Sequence, residues 1–437
     1  MSMLKRLPLF PINSSVNDRG HLVVGGCDVA ALAAEFGTPL YLYDETTLRA
    51  KCREFRTEFE KRYPSVQIIY ASKAYSNVVL LHMVDAEGLG LDVVSEGELG
   101  IAKKAKFPMQ KVYFHGNNKS ARELEMALRL HVGHIVVDNF HELELLDKLT
   151  RGLGVKQDVL LRMTPGVDPH THRYTSTGSL DSKFGFPLPL KEQAVAAALK
   201  IKGLNVTGLH FHIGSLIFEP EPYVESVKSV LKFAAEMRKK YGLELHEFDT
   251  GGGFAVQYTL DKPAPATAIF AEQITSTIKN ECGKLGLKLP KLIVEPGREI
   301  VAQAGVAVYT VGVIKEIPKV RTYVSVDGGM GDNVCPALYG EQMEAVLANR
   351  MRARLAGKVT VSGKFCESGD ILIRDIEMPK IVSGDILAIA AAGAYSIPES
   401  MNYNAFFKPP VALLSKGKAK LIRRRETLAD IIRCDIT

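Results

Sequence analysis

Lys73 closes an apolar run in the stretch YASKAY, with only Ala, Ser and Tyr beside it. A lysine amine at the mouth of a buried strand is a nucleophile suited to a carbonyl carbon. Far along the chain, DTGGGFA (Gly251, Gly252, Gly253) follows a strand-like run and precedes a helix-like one. Backbone N–H groups free of side chains can close on a phosphate there, although a tight turn would use the same residues. Ser215 in HIGS adds a hydroxyl, and Arg298 in EPGR adds a fork for phosphate or carboxylate. A phosphate anchor opposite a reactive lysine predicts pyridoxal phosphate, whose aldehyde condenses with a lysine amine. His212 would then stack on the ring, and Glu295 would pair with the pyridine nitrogen. A carboxylate there keeps that nitrogen protonated and makes the ring a strong electron sink. Glu295 therefore argues for decarboxylation, where an arginine would favour racemisation.

The elements that must position these groups are legible as a repeated pattern. From residue 66 the runs VQIIYAS, GLDVVS, KVYFHG, HIVVDN, DVLLRMT, NVTGLHFHIG, LHEFDTGGG and KLIVEPG alternate with amphipathic stretches. Those stretches include 96–106, 121–130, 140–149, 223–241 and 266–284. Eight such units predict an α/β fold, a closed (β/α)8 TIM-like barrel, with a doubly wound open sheet as the rival that lacks the count. Catalytic groups in such barrels gather where the strands end. Those positions hold Lys73, Asp92, His115, Asp138, Arg162, His212, the glycine run and Glu295. For His115 and Asp138 taken singly, the start of a polar loop is explanation enough.

Beyond EPGREIVAQAG the texture turns to strands and turns: GVAVYTVGVIKEI, RTYVSVDGG, KVTVSGKFCESGD, VALLSKGKAKLIRR. We expect a barrel over 41–300, a mostly β domain over 301–437, and an N-terminal segment, 1–40, packing with that β domain. With 437 residues, 46% of them hydrophobic, the chain can bury a full core in each. Six scattered cysteines without a Cys-x-x-Cys pair predict neither a disulfide framework nor a metal site. A net charge of +6 is modest, and the basic run 416–426 alternates with apolar residues like a half-exposed strand pair, which argues against nucleic-acid binding. No apolar run has the length of a signal peptide or membrane helix, so a cytoplasmic protein without membrane contact is expected.

The motifs together resemble the fold-type III, pyridoxal phosphate dependent basic amino-acid decarboxylases, and among them the diaminopimelate decarboxylases. The matching stretches are YASKAYSN, GLDVVSEGEL, YFHGNNKS, DSKFGFPL, GLHFHIGS, DTGGGF, VEPGREIVAQAG, VDGGMGDN, PALYG, CESGDIL and GAY followed by NYN. They span roughly residues 39 to 410. The resemblance implies an alanine-racemase-like barrel joined to a β domain, in a homodimer whose subunits complete each other's active sites. It implies decarboxylation of meso-2,6-diaminopimelate to L-lysine and carbon dioxide. Lys73 would carry the cofactor, with Asp92 and Arg162 steadying its surroundings and His212 on the ring. Ser215, Gly251 to Gly253, Arg298 and Tyr395 would hold the phosphate region, and Glu295, Pro296 and Gly297 form the last strand end. Cys366 in CESGD would protonate the α carbon.

Substrate recognition would fall to Arg298, Tyr339, Glu367 and Tyr395, with Cys335 where the resemblance calls for an arginine: the segment reads NVCPALYG. Losing one charged hydrogen bond to a bound carboxylate costs about 1.5–3 kcal/mol. Either other cations such as Arg298 and Lys408 cover that carboxylate, or the substrate is an amino acid without it, such as ornithine or lysine.

Overall fold

The computed structural model describes residues 2–167 and 182–436; Asp181 of the DSKFGFPL stretch lies outside them. The chain divides into two compact units. One comprises Met1–Lys51, Val256–Pro263 and Arg298–Thr437, the other Cys52–Ala255 and Ala264–Gly297.

The second unit is a closed parallel barrel of eight strands, each hydrogen-bonded to its sequence neighbours. They are β1 (Val66–Ala71), β2 (Gly90–Val93), β3 (Val112–Phe114), β4 (His134–Val137), β5 (Gln157–Arg162), β6 (Leu204–His210), β7 (Glu247–Asp249) and β8 (Lys291–Val294). All eight runs read from the sequence are in it. A parallel sheet lined inside by side chains and covered outside by helices is buried on both faces, so its strands read as short continuous apolar runs. Ile69, Tyr113, Val136, Leu160 and Ile293 meet in the core. The helices begin at side-chain caps: Asn77, Ser95, Ser120 and Asn139 accept the N–H groups of Val79, Glu98, Glu123 and Glu142. Each cap ends a short polar loop after a strand, and those loops carry the site. Gly208 within β6 has a close-approach role, since a Cβ there would lie 1.8 Å from the Glu247 carbonyl oxygen of β7.

The first unit is built on a mixed sheet. Its order is Ile371–Pro379, Leu355–Ser362, Arg321–Val326, Gly305–Ile317, Leu40–Asp44, Val411–Ser415, Lys418–Arg423, with Ile386–Ile389 also paired to Gly305–Ile317 and Ala345–Leu347 paired to Ile386–Ile389. The strand Leu40–Asp44 lies between Gly305–Ile317 and Val411–Ser415, antiparallel to the first and parallel to the second. That pairing draws the chain as far as Lys51 into this unit, whereas the sequence pattern places the boundary at residue 41. The basic run 416–426 supplies the turn and the second strand of the hairpin Val411–Ser415/Lys418–Arg423. Beneath the sheet, the Tyr309 hydroxyl donates to Asp332 Oδ1 at 2.5 Å and the Tyr41 hydroxyl to the Asp332 carbonyl at 2.8 Å. Among the described residues no helix is long and apolar enough to cross a membrane.

Candidate active site

The C-terminal ends of the barrel strands bring most of the expected groups together. Lys73 sits in the short 3-10 turn Ser72–Ala74 directly after β1, its side chain 35% exposed, and its ammonium is paired with the fully buried Asp92 of β2. The charge thus meets a counter-charge just past the buried end of the strand. Arg162 ends β5, with Nε 3.9 Å from Asp138 Oδ1 and its guanidinium 4.4 Å from the Phe184 ring centroid. His212 follows β6, and its Nδ1 accepts the Gly252 N–H at 3.2 Å. The proton of a neutral His212 is therefore on Nε2. Ser215 lies on the same loop, and Pro296 takes the Ala71 N–H at 3.1 Å, tying β8 to β1.

The glycine run has no room for side chains. Gly251 and Gly253 adopt φ of 70° and 101°, and a Cβ on Gly252 would lie 1.9 Å from the Glu295 carbonyl oxygen. A Cβ on Gly253 would lie 1.8 Å from the Gly214 carbonyl oxygen, so β6, β7 and β8 can converge only around glycine.

Glu295 is the electrostatic centre of this mouth. Its Oε1 lies 3.0 Å from His115 Nε2 and 3.5 Å from His210 Nε2, all three groups buried, and no hydrogen-bond donor among the described residues is aligned on it. Burial alone would raise this carboxyl, but the two imidazoles hold it well below the usual carboxylate range. Asp249 goes the other way, pushed well up by burial and then by the charge of Glu295. The proton of the pair therefore belongs to Asp249 and the negative charge to Glu295. Burial pushes His210 down to about 4, and burial followed by the Lys73 charge pushes His212 well below its ordinary value. Both imidazoles are therefore neutral near pH 7.

Within the first unit, Arg298 opens the short helix Arg298–Val301 and is buried. Its Nη1 donates to the Tyr258 hydroxyl at 2.6 Å and to Glu341 Oε1 at 2.9 Å, and its guanidinium lies 4.6 Å from the Tyr395 ring centroid. Cys335 and Tyr339 begin and end the helix Cys335–Tyr339, and the Tyr339 hydroxyl donates to Glu399 Oε1 at 3.4 Å. Cys335 is fully buried, and burial raises its thiol far above the ordinary value, so a neutral group stands there. Cys366 and Glu367 lie on an exposed turn. Its backbone is fastened by the Cys366 N–H to Asn404 Oδ1 at 2.9 Å and by the Tyr403 hydroxyl to the Cys366 carbonyl at 3.0 Å.

Pyridoxal phosphate fits what the barrel presents. A buried, ionised Glu295 oxygen without an aligned donor matches a protonated ring nitrogen, the side-chain-free cradle matches a phosphate, and Lys73 reaches the open mouth. Sequence reasoning passed over His210, Glu341, Tyr258 and Glu399. The HFH alternation around Phe211 carries a signal for His210, because residues two apart on a strand share a face. Nothing local marks Glu341, whose meaning comes from a partner 43 positions away.

Comparison with known proteins gives the same reading. Residues 45–302 match the family described as pyridoxal-dependent decarboxylase, pyridoxal binding domain. The chain is 44% identical to diaminopimelate decarboxylase of Bacillus subtilis, covering 97% of each chain, and 42% identical to that of Synechocystis, covering 98% and 92%. Among solved structures, the diaminopimelate decarboxylase of M. jannaschii superposes with a TM-score of 0.91 at 35% identity, covering 97% and 98% of the two chains. The enzyme of Helicobacter pylori complexed with L-lysine does so at 0.85 and 32%, covering 93% and 98%. With an eight-stranded barrel, a buried carboxylate and a lysine at its mouth, and these relatives, the chain belongs to the pyridoxal-dependent decarboxylase family, among the diaminopimelate decarboxylases.

Proposed function

We propose that this chain removes one carboxylate of meso-2,6-diaminopimelate as carbon dioxide and yields L-lysine, using pyridoxal phosphate. The observation that carries the reading is Glu295, a buried carboxylate kept ionised beside His115 and His210 at the mouth that also holds Lys73. Bound there, pyridoxal phosphate supplies an electron sink for the pair left on the substrate α carbon when carbon dioxide departs. Glu295 would hold the proton of the ring nitrogen, and the neutral His212 would cover the ring face. Backbone N–H groups of Gly251 to Gly253 and the Ser215 hydroxyl would bind the phosphate, with Pro296 and Gly297 closing the cradle; Tyr395 and Arg298 are assigned to the phosphate region as well. Asp92 orients the Lys73 amine, and Arg162 with Asp138 fixes the wall beside it. Cys366 delivers a proton to the α carbon from Sγ.

The enzyme acts as a cytoplasmic homodimer in this reading. The exposure of Cys366 and Glu367 on one chain supports it, since a proton donor that works in a dry site must be covered by something else. Arg298, Tyr339, Glu367 and Tyr395 bind the distal end of the substrate, with Cys335 contributing no charge. One observation favours an amino acid without the distal carboxylate, such as ornithine or lysine: Arg298 is already paired with Glu341. Carbon dioxide release by the purified holoenzyme with meso-diaminopimelate, ornithine and lysine decides. Turnover of diaminopimelate well above the other two is expected, and equal or better turnover of ornithine or lysine would replace the assignment.

A further inference from the structure

Among the described residues around Arg298 the charges do not cancel. One guanidinium faces two carboxylates, Glu341 and Glu399, which also act on each other and on Cys335 electrostatically. The Glu341 side chain is only 4% exposed. Its Oε1 takes the Arg298 N–H at 2.9 Å, while its Oε2 is buried with no hydrogen-bond donor among the described residues. Glu399 repeats the arrangement, with Oε1 facing the Tyr339 hydroxyl and Oε2 buried and unmet. Buried carboxylate oxygens without donors are costly unless a donor arrives. Burial raises the Glu399 carboxyl, and a cation arriving beside it would relieve that penalty.

We propose that Glu341 and Glu399 form the seat of the distal ammonium group of the amino-acid substrate, and that they make the enzyme select for a cation at that end more strongly than for a carboxylate. This rests on the substrate role proposed above for Arg298, Tyr339 and Tyr395. An ammonium carries three donors and no acceptor, which suits two open carboxylate oxygens. A lone distal carboxylate would add a third negative charge beside a guanidinium already engaged by Glu341 and Tyr258. Diaminopimelate presents both groups at its distal end, and the amine is the one these residues read.

Calorimetric binding to the holoenzyme of three ligands sharing one reacting amine separates the contributions. L-lysine presents a distal ammonium and carboxylate, 1,5-diaminopentane the ammonium alone, and 6-aminohexanoate the carboxylate alone. Relative to lysine, 6-aminohexanoate should lose about ten- to a hundredfold in affinity, and 1,5-diaminopentane clearly less. Glu341→Gln and Glu399→Gln should each narrow that gap by weakening 1,5-diaminopentane. The proposal is overturned if 6-aminohexanoate binds the unaltered enzyme as well as 1,5-diaminopentane, a comparison that needs no variant. It is equally overturned if variants with unchanged melting temperature keep the same ratio. Failure of the parent reading shows elsewhere, as absence of carbon dioxide release from diaminopimelate.

Discussion

Asp249 and Glu295 are buried carboxyls side by side, and their surroundings divide one proton between them unequally. Two imidazoles sit beside Glu295 and, among the described residues, none of comparable closeness serves Asp249, so the charge settles on the residue that faces the ring nitrogen in our reading. Glu295→Gln keeps the shape and removes the charge. It should lower kcat by about 10²–10³-fold, the usual cost of losing one preorganised electrostatic group, while the variant still retains the cofactor's visible absorbance. Unchanged kcat would remove Glu295 from the mechanism. Cys366→Ala tests the proton donor: a loss of about 10²–10⁴-fold in kcat is expected for a general acid, with cofactor binding intact, and normal turnover would contradict the assignment. At this scale the sequence was readable where a residue type is odd for its place, as with Lys73 after an apolar strand or three glycines before a helix. It was silent where meaning comes from distant partners. Glu341 looks like any loop glutamate until Arg298 is beside it, and His115 looks like an ordinary loop start until Glu295 lies 3.0 Å away.

The loop between β3 and its following helix shows how an element holds the mouth in place. Lys119 is buried there, with Nζ 2.7 Å from Glu142 Oε1 and donating to the carbonyls of Gly116 at 2.7 Å and Val136 at 2.9 Å. Glu142 in turn takes the Asp138 N–H at 3.0 Å, so one ion pair fixes the ends of β3 and β4. Lys119→Met should destabilise the protein by about 3–5 kcal/mol, because it strands a buried carboxylate. Lys119→Met with Glu142→Leu should recover much of that loss, as read from denaturant midpoints. A double variant no better than the single one would mean that the carbonyl bonds of Lys119, not its charge, matter. The barrel strands were legible because a sheet buried on both faces writes continuous apolar runs into the chain. The unit boundaries were not: LYLYD, 40–44, reads the same whether it joins a barrel or the sheet formed with Gly305–Ile317. Val256–Pro263, inside the span expected to be barrel, carries no mark of belonging to the other unit.

For the molecule as a whole, Asp332 makes stability depend on pH. Burial, opposed by hydrogen bonds from Tyr309, Gly329 and Tyr41, pushes its carboxyl up to about 7 from an ordinary 3.8. A raised carboxyl favours the protonated folded state. Its stabilising effect is therefore complete below pH 4, falls as pH rises, and is gone above about 7. The shift corresponds to on the order of 4 kcal/mol. In Asp332→Asn this dependence disappears, so the stability of the variant relative to the unaltered protein should climb by that order between pH 4 and 8. A pH-independent difference would contradict the linkage. The two-unit architecture, the cofactor and the decarboxylase chemistry were all within reach of the sequence, while substrate choice turned on Cys335 and on charges gathered around Arg298. The most direct test of the account is product formation by the purified holoenzyme supplied with meso-diaminopimelate. Lysine and carbon dioxide in equal amounts, abolished by Lys73→Ala together with the cofactor's lysine-bound absorbance, is the predicted result. No lysine from diaminopimelate, or turnover that survives Lys73→Ala, would contradict it.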